Sequence, residues 1–381
     1  MSERSRQISE AISIKFNELV YEKKRTGDDV ITLSLGEAFF DFPQVSFDEI
    51  DMERGFHYTD SRGLPELRQK IVEYYNSTYS GSLCQKDNIL ISAGSKILVF
   101  MTMMTVLDPG DEVLAFEPAW LSYEHQATLA GAKIKFVPIN FNLNDVDAFL
   151  SKKVKLVILN SPNNPAGTVY SSKEILSLVE TCRHRNITVL IDEAYSDFVA
   201  NDGFTSGVSI QPELDNVIVV NSLSKSMGLS GWRIGFVMAN KSIIDQMLTL
   251  NQHLITCAPT VLQLYLAKYF DKIRAVTVPQ AQSIELKRQE VLDRLDQANI
   301  KYAKGSSTFY ILINLSDYFE DTYDLAEHLL NDHNVALVPG SAYGESTKGY
   351  LRMSIGVEPI DRIQCAIDTI KDILVKNERF F

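Results

Sequence analysis

The sequence predicts an α/β fold in which a mixed, mostly parallel sheet is wound with helices. Three observations point there. The aliphatic runs at Lys155–Leu159, Thr188–Ile191 and Val217–Val220 are too short for helices and read as buried strands. The amphipathic segment Ser172–His184 separates the first two, which is the β-α-β alternation of a parallel sheet. Each strand also ends in polar residues: Asn160-Ser161-Pro162-Asn163-Asn164-Pro165, Asp192-Glu193-Ala194-Tyr195, and Asn221-Ser222-Leu223-Ser224-Lys225. Ligands of such sheets bind outside the carboxyl ends of the strands, so these three groups share one rim. At 381 residues, 45% apolar and 23% charged, the chain has room for two domains with a sizeable core.

The remaining elements follow in order. Ile8, Ile12, Phe16 and Leu19 recur at helical spacing and predict an amphipathic helix over Ser5–Arg25. Val30–Leu33 is a strand leading to Leu35-Gly36-Glu37, where a glycine permits a tight turn or a close approach to a ligand. His57–Gly63 is a polar loop, and Pro65 opens a helix at the position where its missing N–H costs nothing. Ile89–Ser92 is a strand, turned by Ala93-Gly94-Ser95 into a helix Lys96–Leu107 whose first N–H groups are open to an anion. Strand Glu112–Phe116 leads to Glu117-Pro118-Ala119-Trp120. There Trp120 opens the next helix, where it can stack on a planar ligand, although by itself a Trp so placed more often fills the core. Helices occupy Ser242–Ala298 with a break at Ala258-Pro259. They are followed by strand Ser307–Leu315, helix Tyr323–Asn331, strand Val335–Leu337, a half-exposed strand Tyr350–Ile355 and a final helix Ile360–Lys376. The sequence shows no internal repeat and no low-complexity tract.

The stretch Asn221–Phe236 (NSLSKSMGLSGWRIGF) gathers Ser222, Ser224, Lys225 and Arg233 around one strand end. Together they can hold a phosphate ester and present an amine beside it, which is what a pyridoxal phosphate site requires. A lone lysine among 37 Lys+Arg equally reads as a solvated charge, and the rest of the chain has to decide. A net charge of −12 argues against a nucleic-acid partner. No apolar run reaches the ~18–20 residues of a membrane span, and the N-terminal segment lacks the apolar stretch of a secretory signal. Cys84, Cys182, Cys257 and Cys365 are scattered, as suits reduced thiols in the cytoplasm. Six histidines without HExxH make no metal site.

These motifs, in this order, resemble the fold type I, class I/II pyridoxal-phosphate aminotransferases, most closely the bacterial aspartate aminotransferase-like branch. The resemblance runs from about Ser34 onward. It includes LGE at 35–37, YTDSRGLPELR at 58–68, SAGSK at 92–96, DPGDEV at 108–113, EPAWLSY at 117–123 and NSPNNPAGTVY at 160–170. It continues through DEAY at 192–195, SKSMGLSGWRIGF at 224–236, VPGSAYG at 338–344 and LRMSIG at 351–356. It implies a large cofactor-binding domain over residues 46–270 and a smaller α/β domain from the two chain ends, 1–45 and 271–381. It implies pyridoxal 5'-phosphate on Lys225, which forms the internal aldimine and moves the substrate's α-proton. Asp192 then pairs with the pyridinium nitrogen, Tyr195 and Asn164 bond the ring's phenolic oxygen, and Trp120 stacks on the ring. Gly94, Ser95, Lys96, Ser222 and Arg233 cradle the phosphate, joined by Tyr58 from a second copy, so the expected assembly is a homodimer with shared sites. Arg352, with Gly36 beside it, takes the α-carboxylate of an amino acid or 2-oxo acid. Asn164 and Trp120 border the same substrate, and Lys96 meets a distal carboxylate, pointing to glutamate/2-oxoglutarate as one pair.

Two departures fall beside the substrate entrance. Gly36-Glu37-Ala38-Phe39-Phe40 stands where the family has GEPDF, and the segment Pro43–Tyr58 is shorter than usual. A carbon–sulfur lyase of the same fold would share every cofactor residue. A serine acylase built on Ser222-x-x-Lys225 would need SDN and KTG, and neither string occurs. A pyridoxal-phosphate-binding regulator would not need both Lys225 and Arg352.

Overall fold

A computed structural model describes residues 3–82, 84–199 and 203–376. Its centre is a seven-stranded sheet of β1 (Ile89–Ser92), β2 (Glu112–Phe116), β3 (Lys133–Val137), β4 (Val154–Asn160), β5 (Thr188–Asp192), β6 (Val217–Ser222) and β7 (Gly235–Met238). The spatial order is β1-β7-β6-β5-β4-β2-β3. Strands β2 to β6 run parallel, while β7 is antiparallel to both of its neighbours. The sheet is thus mixed and mostly parallel, as expected.

Alternation along the strands explains why both faces are dry. Val157, Leu159, Val189, Ile191, Val217 and Val219 belong to one apolar cluster, packed against the helices Pro65–Thr78, Ser172–His184 and Thr260–Gln297. Their neighbours Leu156, Ile158, Leu190, Ile218 and Val220 belong to another, packed against the helices Ser95–Val106 and Lys241–Leu254. Successive side chains of a strand point to opposite faces, so strands apolar throughout need a layer on each. Edge strand β3 instead exposes Lys133 and Lys135, the charged edge that discourages pairing with another chain.

A third apolar cluster joins the two ends of the chain. Phe16, Val20 and Leu33 pack there with Phe309, Ile311, Leu325, Val335, Ile363 and Ile367. Ile31–Thr32 pairs in parallel with Val335–Ala336. An antiparallel sheet completes the unit, in the order Val338–Pro339, Tyr350–Ser354, Tyr310–Asn314, Lys301–Tyr302.

Several elements differ from expectation. The helix expected over Ser5–Arg25 is two helices, Glu3–Arg6 and Ile12–Thr26, because Ala11 is extended at φ −73°, ψ 111°. Phe16 and Val20 are buried in the third cluster and Ile12 packs against it. Ser9 instead hydrogen-bonds His125, so tertiary contacts override the spacing of Ile8 and Ile12. Strand Ser307–Leu315 begins only at Tyr310, since Thr308 has φ +67°. Only Ile31–Thr32 of Val30–Leu33 is paired, and of Val335–Leu337 only Val335–Ala336 is a strand, Leu337 being the unpaired step to Val338–Pro339 in the other sheet. Trp120 precedes the helix Ser122–Leu129 instead of opening it. Strands β3 and β7 were not anticipated; β7 lies inside the stretch read for its Arg233. No described helix is long and apolar enough to cross a membrane.

Candidate active site

The carboxyl ends of β4, β5 and β6 deliver Asn160, Asp192 and Ser222 to one cleft of about 510 Å³. Lys225 follows on the short helix Leu223–Ser226, where the Ser222 hydroxyl accepts from the Ser224 N–H at 3.1 Å. The Lys225 Nζ donates to the Gly36 carbonyl at 2.6 Å and lies 5.9 Å from the Tyr195 ring centre. Burial pulls its pKa down to about 8; the Glu37 carboxylate opposes that pull and Arg352 and Arg233 add to it. A lysine in this setting gives up its proton around pH 8, well below an exposed lysine, and so reaches more readily the neutral form that can act as a nucleophile or base.

Asp192 is held by two donors: the Tyr123 hydroxyl at 2.7 Å and the Ala194 N–H at 3.2 Å. Burial pushes its carboxyl pKa up, while those bonds and Lys225 act the other way. Beside it, Tyr195 receives Asn164 Nδ2 at 3.3 Å and meets the Tyr310 hydroxyl at 3.2 Å. Asn164 Oδ1 is buried with no partner.

The turn after β1 makes a concave anion cradle. Gly94 has φ +89°, and a Cβ there would stand 2.5 Å from Arg233 Nη2; one on Gly235 would stand 2.4 Å from the Ser95 nitrogen. Only glycine lets the Arg233 fork reach the N-terminus of the helix Ser95–Val106. Arg233 is itself braced by the Ser230 carbonyl at 2.8 Å and the Ser224 hydroxyl at 3.3 Å. Lys96 Nζ lies 5.3 Å from the Trp120 ring centre, and burial, then Arg233, lowers its pKa.

A second cationic group comes from the C-terminal strand. Arg352 is 4% exposed. Its guanidinium lies 4.5 Å from the Tyr310 ring centre and 5.3 Å from that of Tyr343, and Nη2 donates to the Ser34 carbonyl. Its Nε is buried without a partner. Leaving such a donor unmade is costly, so it fits a ligand acceptor such as a carboxylate.

The cleft therefore brings together Gly36, Ser95, Lys96, Trp120, Asn164, Asp192, Tyr195, Ser222, Lys225, Arg233 and Arg352, with Gly94 at its rim. Tyr58 is the exception: it is 85% exposed and lines no part of this cleft. The sequence reading missed Ser13, Ile14 and Asn17, on a helix read only for its apolar stripe, and Tyr310, on a strand read only as apolar.

The family model for aminotransferase class I and II matches residues 28–370. The chain belongs to this family. As a class I and II aminotransferase it is an enzyme, and its relatives are transaminases by name. It is 33% identical to the aspartate aminotransferase of Thermotoga maritima, over 97% of this chain and 99% of that one. It is also 33% identical to a (5-formylfuran-3-yl)methyl phosphate transaminase of Methanocaldococcus jannaschii, over 94% and 95%. Among solved structures, the aspartate aminotransferase of Thermus thermophilus with maleate superposes with a TM-score of 0.90 at 25% identity, over 98% of this aminotransferase and 99% of that chain.

Proposed function

We propose that the enzyme uses pyridoxal 5'-phosphate to transaminate between an L-amino acid and a 2-oxo acid, with glutamate/2-oxoglutarate as one pair. The observation that carries this reading is the content of one cleft: a buried amine, a fixed carboxylate and two distinct cationic anion sites. The unpartnered Arg352 Nε, and the cradle that any Cβ on Gly94 would fill, are what a substrate carboxylate and the cofactor phosphate would satisfy. When bound, the cofactor supplies an electron sink for the bonds at the substrate's α-carbon. The chain's own residues do the rest. Lys225 anchors the group and moves the α-proton at its Nζ. Asp192 holds a proton on the ring nitrogen, and Tyr195 with Asn164 orients the phenolic oxygen. Trp120 covers the ring, while Gly94, Ser95, Ser222 and Arg233 bind the phosphate, leaving the Lys96 side chain for a distal carboxylate. Arg352 clamps the α-carboxylate, whose planar shape its fork matches.

Relatives named aspartate aminotransferases support an acidic substrate. L-Glutamate added without an acceptor should give one equivalent of 2-oxoglutarate per subunit and stop. Continuous release of ammonia from a single amino acid would instead establish a lyase. A charge-assisted contact contributes about 1.5–3 kcal/mol, so Lys96→Ala should lower kcat/KM for glutamate about 10–100-fold and spare a neutral donor. Equal losses for both donors would assign Lys96 to the phosphate.

Tyr58 belongs, in this reading, to a second copy's site. Phe56 and Tyr58, 76% and 85% exposed, lie in a stretch of sequence with exposed Phe39, Phe47 and Met52, apolar side chains that a partner subunit would cover. Heterodimers of Tyr58→Ala and Lys225→Ala chains would then contain one intact site and recover up to about half of wild-type activity, by the symmetry of a shared interface. Verified heterodimers that stay inactive would rule out sharing.

A further inference from the structure

Tyr310 stands between the two halves of the cleft and carries neither of the roles assigned above. Its hydroxyl lies 3.2 Å from that of Tyr195, its only hydrogen-bond partner among the described residues. Its ring lies 4.5 Å from the Arg352 guanidinium. A Cβ on Gly36 would approach the Tyr310 oxygen to 3.1 Å, so the chain passes the hydroxyl closely there without a side chain.

Proton counting decides what the contact does. A phenol has one proton to donate and two lone pairs to accept with. Tyr195 oxygen already accepts from Asn164 Nδ2 at 3.3 Å. Both hydroxyls border the cleft, but only Tyr195 is bonded to Asn164, beside the place read for the cofactor's phenolic oxygen, so with the cofactor bound the Tyr195 proton has an acceptor there and the Tyr310 proton has Tyr195. The arrangement that leaves no donor idle has Tyr310 donating to Tyr195. Both lone pairs of Tyr195 are then filled, and its own O–H is committed to the cleft. Accepting two bonds also polarises that O–H and makes it a stronger donor.

We propose that Tyr310 is a positioning residue serving both halves of the cleft: its hydroxyl fixes the direction of the Tyr195 proton, and its ring carries the Arg352 guanidinium. The inference rests on the reading that Tyr195 donates to the cofactor's phenolic oxygen. Two variants separate its two halves. Tyr310→Phe removes the hydroxyl and keeps the ring; Tyr310→Leu removes both.

The test is made on the holoenzyme, by pH titration of the cofactor's absorbance band and by equilibrium binding of maleate, a dicarboxylate with no amino group to react. A bond donated to the phenolic oxygen draws charge from it and weakens its hold on the neighbouring proton, so weakening that bond raises the band's pH midpoint. Tyr310→Phe should raise it by about 0.5–1 unit, as expected for part of one charge-assisted hydrogen bond, with maleate Kd within about twofold of wild type since the ring face remains. Tyr310→Leu should raise the midpoint similarly and weaken maleate about 3–30-fold, the range of a partly desolvated cation–π contact. A midpoint in Tyr310→Phe that is unchanged would overturn the role of the hydroxyl. One that falls would mean Tyr195 had been donating to Tyr310, and would overturn it equally. Maleate binding in Tyr310→Leu at wild-type strength would overturn the role of the ring. A merely structural Tyr310 would shift the thermal midpoint and leave the band where it is. A wild-type protein with no cofactor band at all would fail the proposed function instead, so the two failures are distinguishable.

Discussion

Lys225→Ala is expected to lower transamination by more than about 10⁴-fold, because one amine is both the covalent anchor and the proton-transfer group, and acid–base catalysis alone contributes about 10²–10⁴. The fold should survive, since the strand that delivers the lysine is fixed by Val217, Val219 and Val220 in the two clusters on either face of the sheet. Some cofactor should still bind through Gly94, Ser95, Ser222 and Arg233. Stability supplies an independent check with a definite sign. The lysine's pKa is depressed to about 8 by burial, below its unfolded value of about 10.4. Between those values the unfolded chain binds more protons, so this group's contribution to stability rises with pH and its cost is fully present below about pH 8. In cofactor-free protein at pH 7, Lys225→Ala should therefore melt no lower than wild type, and the difference should change against the variant as pH rises from about 8 to 10. Borohydride treatment of the wild-type holoenzyme should fix the cofactor to the peptide containing Lys225. Label on another lysine would remove the assignment.

Arg352→Lys should lower kcat/KM by about 10²–10³-fold although the charge is retained, about 3–4 kcal/mol of lost transition-state binding. The loss follows from geometry. The guanidinium lies over the Tyr310 ring, 4.5 Å from its centre, spends Nη2 on the Ser34 carbonyl and keeps Nε unpartnered. A lysine's single ammonium cannot hold Ser34 and a carboxylate side by side, and it stacks less well on the two rings. The change should fall on substrates bearing an α-carboxylate, with the cofactor band unmoved because the phosphate cradle lies on other elements. An Arg352→Lys enzyme within about threefold of wild type would show that the carboxylate binds elsewhere.

The α/β architecture was legible because strands such as Val217–Val220 are apolar at consecutive positions, which only a sheet covered on both faces requires. The gathering of Asn164, Asp192, Tyr195, Ser222 and Lys225 was legible for a related reason: parallel strands put their carboxyl ends on one rim. What sequence did not reveal depends on tertiary contact. The break before Ile12 answers to Ser9 meeting His125, a residue 116 positions away. Ser13 and Asn17 border the cleft from a helix whose apolar stripe announced only a core face. Tyr310 looked like one more apolar residue in Phe309-Tyr310-Ile311-Leu312-Ile313, and its hydroxyl gains meaning only once Tyr195 is beside it. Edge strand β3, Lys133-Ile134-Lys135-Phe136-Val137, is different: its polar/apolar alternation does spell a half-exposed strand.

The alternation of β4, β5 and β6 between two apolar layers has a consequence for error tolerance. Parity is shared between stability and chemistry: a strand that slipped by one residue would exchange its two apolar sets and swing its terminal polar residue away from the cleft in the same movement. Because both faces are apolar, the slip costs the misfit of each set against the other's layer rather than exposure to water, and that misfit is present before any ligand is bound. The placement of Asp192 and Ser222 is in this sense proofread by valines and isoleucines that never meet the substrate.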